Sequence, residues 1–220
     1  MIFMKKSAIV VCDFDGTITK EDSINKFLEK FADKKWLEVE EEWVNGKIST
    51  CIAMTAQFEM IKDMTEKKLE EYFNSVEVDD YFKEFCKICR EKNIDIAVVS
   101  DGLKFFIDRI FQINEIKDIP VFSNKAEFIN NKFQIEFPHK IDDCRNKSGT
   151  CKCKFVQEFK KDYNKIIYVG DGVSDYCVAD KADVLFAKKR LMLYCKKEKI
   201  PFIKYDNFRK VIDYVTANRS

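Results

Sequence analysis

Five consecutive apolar residues, Ala8-Ile9-Val10-Val11-Cys12, run directly into Asp13-Phe14-Asp15-Gly16-Thr17. A strand with one wet face alternates apolar and polar residues. This one does not, so it is expected to be buried on both faces, as in a parallel sheet covered by helices. Ile94 to Val99 and Ile166 to Val169 repeat the pattern, with shorter candidates at Val184 to Phe186 and at Phe202-Ile203. Amphipathic helical spacings lie between them. Phe82, Phe85, Cys86 and Cys89 follow Asp79, a possible helix cap; Phe105, Phe106, Ile110 and Ile113 form a second set. Phe155, Val156 and Phe159 form a third, and Phe208, Val211, Ile212 and Val215 a fourth. Strand–helix alternation predicts an α/β fold built on a Rossmann-like, doubly wound parallel sheet. In such sheets ligands bind beyond the carboxyl ends of the strands.

From Lys20 to Val78 the alternation breaks. Ile24, Phe27, Leu28 and Phe31 are spaced for one helix, Trp36 to Trp43 for another that ends near Asn45-Gly46, and Ile52 to Ile61 and Leu69 to Phe73 for two more. The segment is too long for a simple crossover. The expected organisation is a core domain of residues 1–19 and 79–220, with a helical cap domain of residues 20–78 inserted. A smaller interruption near residues 121–137 reads as a hairpin insertion, with Asn130-Asn131 at its turn.

Composition narrows the function classes. Thirty-nine Lys and Arg against 38 Asp and Glu leave a net charge of +1, which gives no electrostatic footprint for nucleic acid or an anionic membrane. No window approaches the ~20 apolar residues of a membrane span, and Met1 to Val11 is too short for a secretory signal. Nine cysteines, an odd number scattered along the chain, argue against a secreted disulfide framework. A soluble cytoplasmic protein, monomeric or homodimeric, is expected, with no nucleic-acid or membrane partner.

The strand ends carry the chemistry. The first ends in Asp13 and Asp15, with Gly16 permitting a close turn around a ligand. The second ends in Ser100-Asp101-Gly102, expected to lead into a helix whose free N–H groups suit an anion. The third ends in Gly170-Asp171-Gly172-Val173-Ser174-Asp175, and Lys154 begins the helix after a Cys-rich loop. Singly, each is ordinary: an Asp-Gly is usually a turn, a Ser a cap, a Lys a solvated charge. Together they gather acids, a hydroxyl and a cation on one sheet edge. Carboxylates so crowded repel one another unless a divalent cation joins them, and hard oxygen donors suit Mg²⁺. Ser100, the amides near Gly102, and Lys154 then suit phosphate oxygens.

The order of Asp13-Phe-Asp-Gly-Thr17, Ser100, Lys154 and Gly170-Asp171 to Asp175 resembles the four motifs of haloacid-dehalogenase-superfamily phosphatases. Asp22-Ser23, Phe137-Pro138-His139, Cys151-Lys-Cys-Lys154 and Ala182 to Lys188 extend the resemblance to the MtnX-like phosphatases, which are similar to phosphoserine phosphatase in carrying a helical cap after the first motif. The resemblance implies Asp13 as the nucleophile that forms an aspartyl-phosphate and Asp15 as general acid and base. It implies Mg²⁺ on the Asp13 carboxylate, the Asp15 backbone carbonyl and Asp171. Ser100, Asp101, Gly102 and Lys154 would hold the phosphate, with Asp175 and Thr17 behind the metal. The implied substrate is a small phosphorylated metabolite, such as the ketoenol phosphate of methionine salvage.

Several points stay open. Ser100-Asp101 with Phe105-Phe106 also looks like phosphocholine/phosphoethanolamine phosphatases, where Asp101 could receive a substrate ammonium rather than cap a helix. Phosphoserine is a further alternative. His139, Cys144, Cys151 and Cys153 could form a Cys₃His zinc site or only pack the loop. Met54, Phe58 and Met60 read as core before specificity residues. A receiver-like phospho-acceptor switch and an inactive binding homologue are readings of another class; Asp15, which shortens the life of a phospho-enzyme, separates the first from an enzyme.

Overall fold

The computed structural model describes residues 5–218. Among them, seven strands form one sheet in the order β4-β3-β2-β1-β5-β6-β7, all parallel except the β3–β4 pair. β1 (Lys6–Cys12) lies at the centre, between β2 (Asp95–Leu103) and β5 (Tyr163–Gly170). Its side chains alternate between two apolar cores: Ala8, Val10 and Cys12 on one face, Ile9 and Val11 on the other. β5 divides likewise, Ile167 and Val169 against Ile166 and Tyr168. Burial on both faces is why neither run alternates in polarity.

Helices α5 (Phe82–Glu91), α6 (Lys104–Ile113) and α9 (Phe208–Ala217) cover the first face; α7 (Lys152–Asp162) and α8 (Lys189–Glu198) cover the second. β6 (Val184–Ala187) and β7 (Ile203–Lys204) complete the sheet on one side. Asp79 does not cap α5, whose N-cap is Tyr81; its carboxylate instead accepts N–H bonds from Tyr81 and Phe208. The expected hairpin forms, β3 (Val121–Ile129) and β4 (Lys132–Glu136), with Asn130 and Asn131 at φ 51° and 62° in its turn. Val121, Phe122 and Asn124 pair in parallel with β2, so β3 begins as a strand of the sheet and runs on from Lys125 into the hairpin.

Between β1 and α5 stand α1 (Ser23–Phe31), α2 (Trp36–Val44), α3 (Thr50–Glu59) and α4 (Glu66–Phe73). Asp22, Ser49 and Thr65 cap α1, α3 and α4 with side-chain oxygens. The chain enters and leaves this insertion side by side: Lys20 N–H donates to Glu77 C=O at 2.9 Å and Asp79 N–H to Ile18 C=O at 2.8 Å. The four helices do not form a core of their own. Phe27 packs edge-on against Phe106 of α6, at 4.9 Å between ring centroids, and Phe58 against Phe133 of β4 at 5.0 Å. Edge-to-face pairs of this kind add about 0.5–1.5 kcal/mol each beyond burial. The insertion is thereby seated over the carboxyl ends of β1 and β2. No helix among the described residues is long and apolar enough to cross a membrane.

Candidate active site

The strand order turns back at β1, where β2 and β3 lie to one side and β5 to the other, so the chain segments leaving β1 and β5 diverge and open a crevice. Asp13 is the first residue beyond β1 and is buried. Its N–H donates to Val169 C=O at 2.9 Å, which fixes it to β5. Its Oδ1 accepts from Phe14 N–H and lies 2.8 Å from Lys152 Nζ. Burial pushes the Asp13 carboxyl well above the usual range and Asp175 adds to this; the Lys152 ammonium opposes both.

Gly16 turns the chain at φ 70°, and a Cβ there would collide with Asp171 Oδ2 and Lys189 Nζ. Glycine is needed for conformation and for room. The turn brings Thr17, fully buried, to donate from Oγ1 to Asp171 Oδ1 at 3.3 Å. Asp15 points toward the insertion. Its Oδ1 accepts from Ser23 N–H at 3.1 Å and from the Ser23 hydroxyl, and its Oδ2 lies where a Cβ on Gly102 would be. Burial raises the Asp15 pKa more than the two Ser23 donors lower it.

The lysine in the crevice is Lys152, not Lys154. Lys152 is completely buried at the start of α7. Its Nζ reaches Asp175 Oδ1 at 2.6 Å, Ser174 Oγ at 2.8 Å and Asp13 Oδ1 at 2.8 Å. Lys154 is exposed. Two residues along a helix rotate a side chain by about 200°, so only one of the pair can face the sheet. Lys152 shares its face with Phe155 and Val156, three and four residues on; Lys154 does not. Burial works against the Lys152 charge, but Asp13 and Asp175 outweigh it and hold the ammonium protonated.

Asp171 follows β5, and its Oδ2 accepts from Lys189 Nζ at 3.0 Å. Burial raises its pKa, and Asp175 raises it further. Asp175 is fully committed: Oδ1 accepts from Lys152 and Tyr168 OH, and Oδ2 from the N–H groups of Asp171 and Gly172 at 2.9 and 3.0 Å. It orders the β5 loop. One carboxylate oxygen each of Asp13, Asp171 and Asp175 lies within 4.8 Å of the others, all three residues buried. This donor set is hard, anionic and still short of positive charge after Lys152 and Lys189 are counted, which fits a small divalent cation.

Ser100, Asp101 and Gly102 belong to the last, irregular residues of β2 and not to a helix N-terminus; α6 begins at Lys104, and its N-cap, Leu103, offers no side-chain bond. Ser100 is buried and its Oγ accepts from Gly102 N–H at 3.0 Å. Asp101 is neither a helix cap nor a free acid. Oδ2 accepts from Thr50 Oγ1 at 2.7 Å, and Oδ1 from Thr150 N–H at 2.8 Å and Asn124 Nδ2 at 3.3 Å. Thr50 also accepts from Trp43 Nε1 at 2.9 Å. Asp101 thus ties the insertion to the core while lining the cavity beside Ser100 and Gly102.

A cavity of about 360 Å³ lies between the insertion and these strand ends. Asp13, Asp15, Ser100 and Asp171 line its floor. On the insertion side it meets carboxyls of Asp22 and Glu40 and the apolar surfaces of Ile24, Trp43, Ala53 and Met54. Burial, with Asp15 adding to it, pushes the Asp22 carboxyl up to about 8. Met54 is mostly buried and Phe58 is core. His139 does not join the cysteines; its ring packs edge-on against Phe155 at 5.1 Å.

The model of the family described as Putative Phosphatase matches residues 8–202. A 2-hydroxy-3-keto-5-methylthiopentenyl-1-phosphate phosphatase from Bacillus pumilus is 32% identical over 206 residues, covering 92% of this chain and 88% of that protein. One of the same description from Brevibacillus brevis is 28% identical over 211 residues, covering 95% of each. A solved phosphoserine phosphatase carrying a phospho-aspartyl intermediate analogue shares the fold, with a TM-score of 0.73 at 19% identity over 96% of this chain and all of that one. A HAD family hydrolase from Salmonella enterica serovar Typhi gives 0.72 at 20% identity over 94% of this chain and 71% of that one. With a crevice of this composition, a family match over nearly the whole length and relatives named as phosphatases, the chain is a phosphatase of the Putative Phosphatase family, with the fold of the solved HAD hydrolase and phosphoserine phosphatases.

Proposed function

We propose that this phosphatase hydrolyses a small phosphate monoester through an aspartyl-phosphate on Asp13. The observation that carries the reading is the Asp13 carboxylate, buried on the cavity floor and paired with Lys152. Asp13 Oδ attacks phosphorus; the new O–P bond forms as the bond to the leaving oxygen breaks. Asp15 gives that oxygen its proton, a role that the upward push of burial on its pKa favours. Asp15, now ionised, takes a proton from water, which attacks phosphorus and releases phosphate and Asp13. Lys152 and the Ser100 hydroxyl, which is held by the Gly102 N–H, stabilise charge on the phosphoryl oxygens. When bound by the carboxylates of Asp13 and Asp171 and the Asp15 carbonyl, Mg²⁺ supplies Lewis-acid neutralisation of that charge. Helices α1–α4 act as the cap, holding Asp15 through Ser23 and excluding water.

The leaving group meets two kinds of wall. Asp22 and Glu40 suit oxygens; Trp43, Ala53 and Met54 suit an apolar tail. A neutral Asp22 carboxyl can donate to a carbonyl. The substrate in the relatives' names, a hydroxy-keto phosphate with a methylthio tail, has both features, and supports the ketoenol phosphate as this chain's ester. A second reading, an ester bearing an ammonium such as phosphoserine, is favoured by the same two acids, Asp22 and Glu40, on the cavity wall. Phosphate release from a panel of the ketoenol phosphate, phosphoserine, phosphoethanolamine and phosphocholine, with Mg²⁺ and with EDTA, decides. The ketoenol phosphate is expected to have the highest kcat/KM, with EDTA abolishing turnover. A tenfold preference for an amine ester supports the second reading. Absence of turnover on every ester with Mg²⁺ present ends both.

A further inference from the structure

The segment that carries Ser100 is held from outside the sheet ladder. β2 pairs with β1 as far as Val98, and its pairing with β3 breaks between Val99 and Leu103. Ser100, Asp101 and Gly102 therefore lie where the ladder sets no register. Asn124 of β3 supplies a donor in its place: Nδ2 gives to Asp101 C=O at 2.6 Å. Ser100 Oγ accepts from Gly102 N–H across the same residue.

The Asp101 side chain reaches further. Oδ1 takes the N–H of Thr150, two residues before Lys152, at 2.8 Å. Thr150 Oγ1 donates in turn to Asn124 Oδ1 at 3.1 Å. The chain runs so close there that a Cβ on Gly149 would stand 2.6 Å from the same oxygen. Oδ2 takes the hydroxyl of Thr50, the first residue of α3, at 2.7 Å. The chain around Thr50 is clasped to the same loop. Thr50 N–H donates to Lys147 C=O at 3.1 Å, and Lys147 Nζ to Gly46 C=O at 3.3 Å. Trp43 Nε1 completes the set by donating to the Thr50 hydroxyl. Asp101, Asn124, Thr50 and Thr150 are all buried.

One carboxylate thus joins three pieces that must agree if a phosphoryl group is to be held: Ser100 on β2, Lys152 at the start of α7, and the α2–α3 side of the cap. A buried carboxylate is costly unless donors satisfy it. Its side-chain donors come from three separate segments, so losing one leaves charge uncompensated and frees that segment. Buried networks of this kind act as a unit and not as a sum of pairs.

We propose that Asp101 is a positioning residue that couples the seating of the cap to the phosphoryl site. The Thr50–Asp101–Thr150 chain sets Ser100 against Lys152, so a bound phosphoryl group and the Trp43–Thr50 contact strengthen each other. The coupling presupposes the phosphoryl site of Asp13, Ser100 and Lys152 proposed for this phosphatase. It needs no contact with a leaving group, so it holds for a bare phosphate analogue.

The probe is orthovanadate with Mg²⁺, its binding to the intact chain read by calorimetry. Thr50→Val and Asp101→Ala should each weaken it by about tenfold, and the double variant by no more than either alone. Thr50→Ser, which keeps the hydroxyl, should bind as wild type does. Trp36→Phe leaves Trp43 as the sole tryptophan. In that background saturating vanadate should change the emission, and with Asp101→Ala added it should not. A role in folding alone would lower the urea midpoint of the variants and leave vanadate affinity and the Trp43 response intact. If Asp101→Ala does not fold, Thr50→Val against Thr50→Ser carries the comparison. The proposal is overturned if Thr50→Val binds vanadate as tightly as wild type, or if the losses of the two single variants multiply. Wild type that binds no vanadate ends both the coupling and the aspartyl-phosphate reading; wild type that binds it, beside an unchanged Thr50→Val, ends the coupling alone.

Discussion

Replacing Lys152 by methionine removes the charge and nearly keeps the volume. Its ammonium lies 2.6 Å from Asp175, 2.8 Å from Asp13 and 2.8 Å from Ser174, with no exposed surface. Breaking a buried pair by deleting one partner costs about 3–5 kcal/mol, because the other charge stays buried and unpaired. Here two carboxylates are left, so the upper part of that range applies. With a urea m-value of about 2 kcal/mol/M, a loss of about 4 kcal/mol moves the midpoint down by about 2 M. The penalty should shrink in acid: the folded Asp13 pKa is already raised by burial, so protonation relieves the unpaired charge before the fold is lost. Turnover should fall by about 10²–10³-fold, the cost of one transition-state electrostatic donor. The control is Lys154→Met, at an exposed position, which should stay within about 0.5 kcal/mol and keep its activity. Urea melts and p-nitrophenyl phosphate hydrolysis of both variants read the result. An inactive Lys154→Met beside an active, stable Lys152→Met would refute the reasoning.

Asp15→Asn can neither give nor take a proton, so alcohol esters should slow by about 10²–10⁴-fold; with p-nitrophenyl phosphate, whose leaving group needs no proton, stopped-flow should show a burst of one nitrophenolate and then a slow phase. Thr50→Val cuts the bond from the insertion to Asp101, so stability should drop by about 1–3 kcal/mol. KM should rise more than kcat falls, and Trp43 fluorescence should change, since Trp43 loses its acceptor. Asp13, Asp15, Asp22 and Asp171 all have folded pKa values above their unfolded ones, so the folded state binds more protons. Their contribution to metal-free stability is therefore present below about pH 4 and lost as pH rises through the folded values, about 8 for Asp22. Thermal melts should show Mg²⁺ raising Tm more near pH 8 than near pH 5, and the opposite order would count against a cation at these acids.

The sheet and the insertion were legible because their signals are local and strong. Runs such as Ala8 to Cys12 admit few environments, and the cap patterns of residues 20–78 had the right spacing for all four helices. The acids were legible because each ends a strand. The lysine was harder: Cys151-Lys-Cys-Lys154 offers two, and the choice depends on helix phase, which Phe155 and Val156 already encode. The bonds of Asp101 were not legible, since its partners Thr50, Asn124 and Thr150 come from three distant segments, and no local pattern records them. α8, which delivers Lys189 to Asp171, was missed because Lys189 to Glu198 is mostly charged, with only Leu191 and Cys195 buried.

The most direct measurement is to quench the enzyme during turnover and reduce the protein with borohydride, which converts an acyl phosphate at aspartate to homoserine. Peptide mass spectrometry should find homoserine at position 13 alone, dependent on substrate and absent from Asp13→Asn. Homoserine at another acid, or steady turnover by Asp13→Asn, would contradict the account.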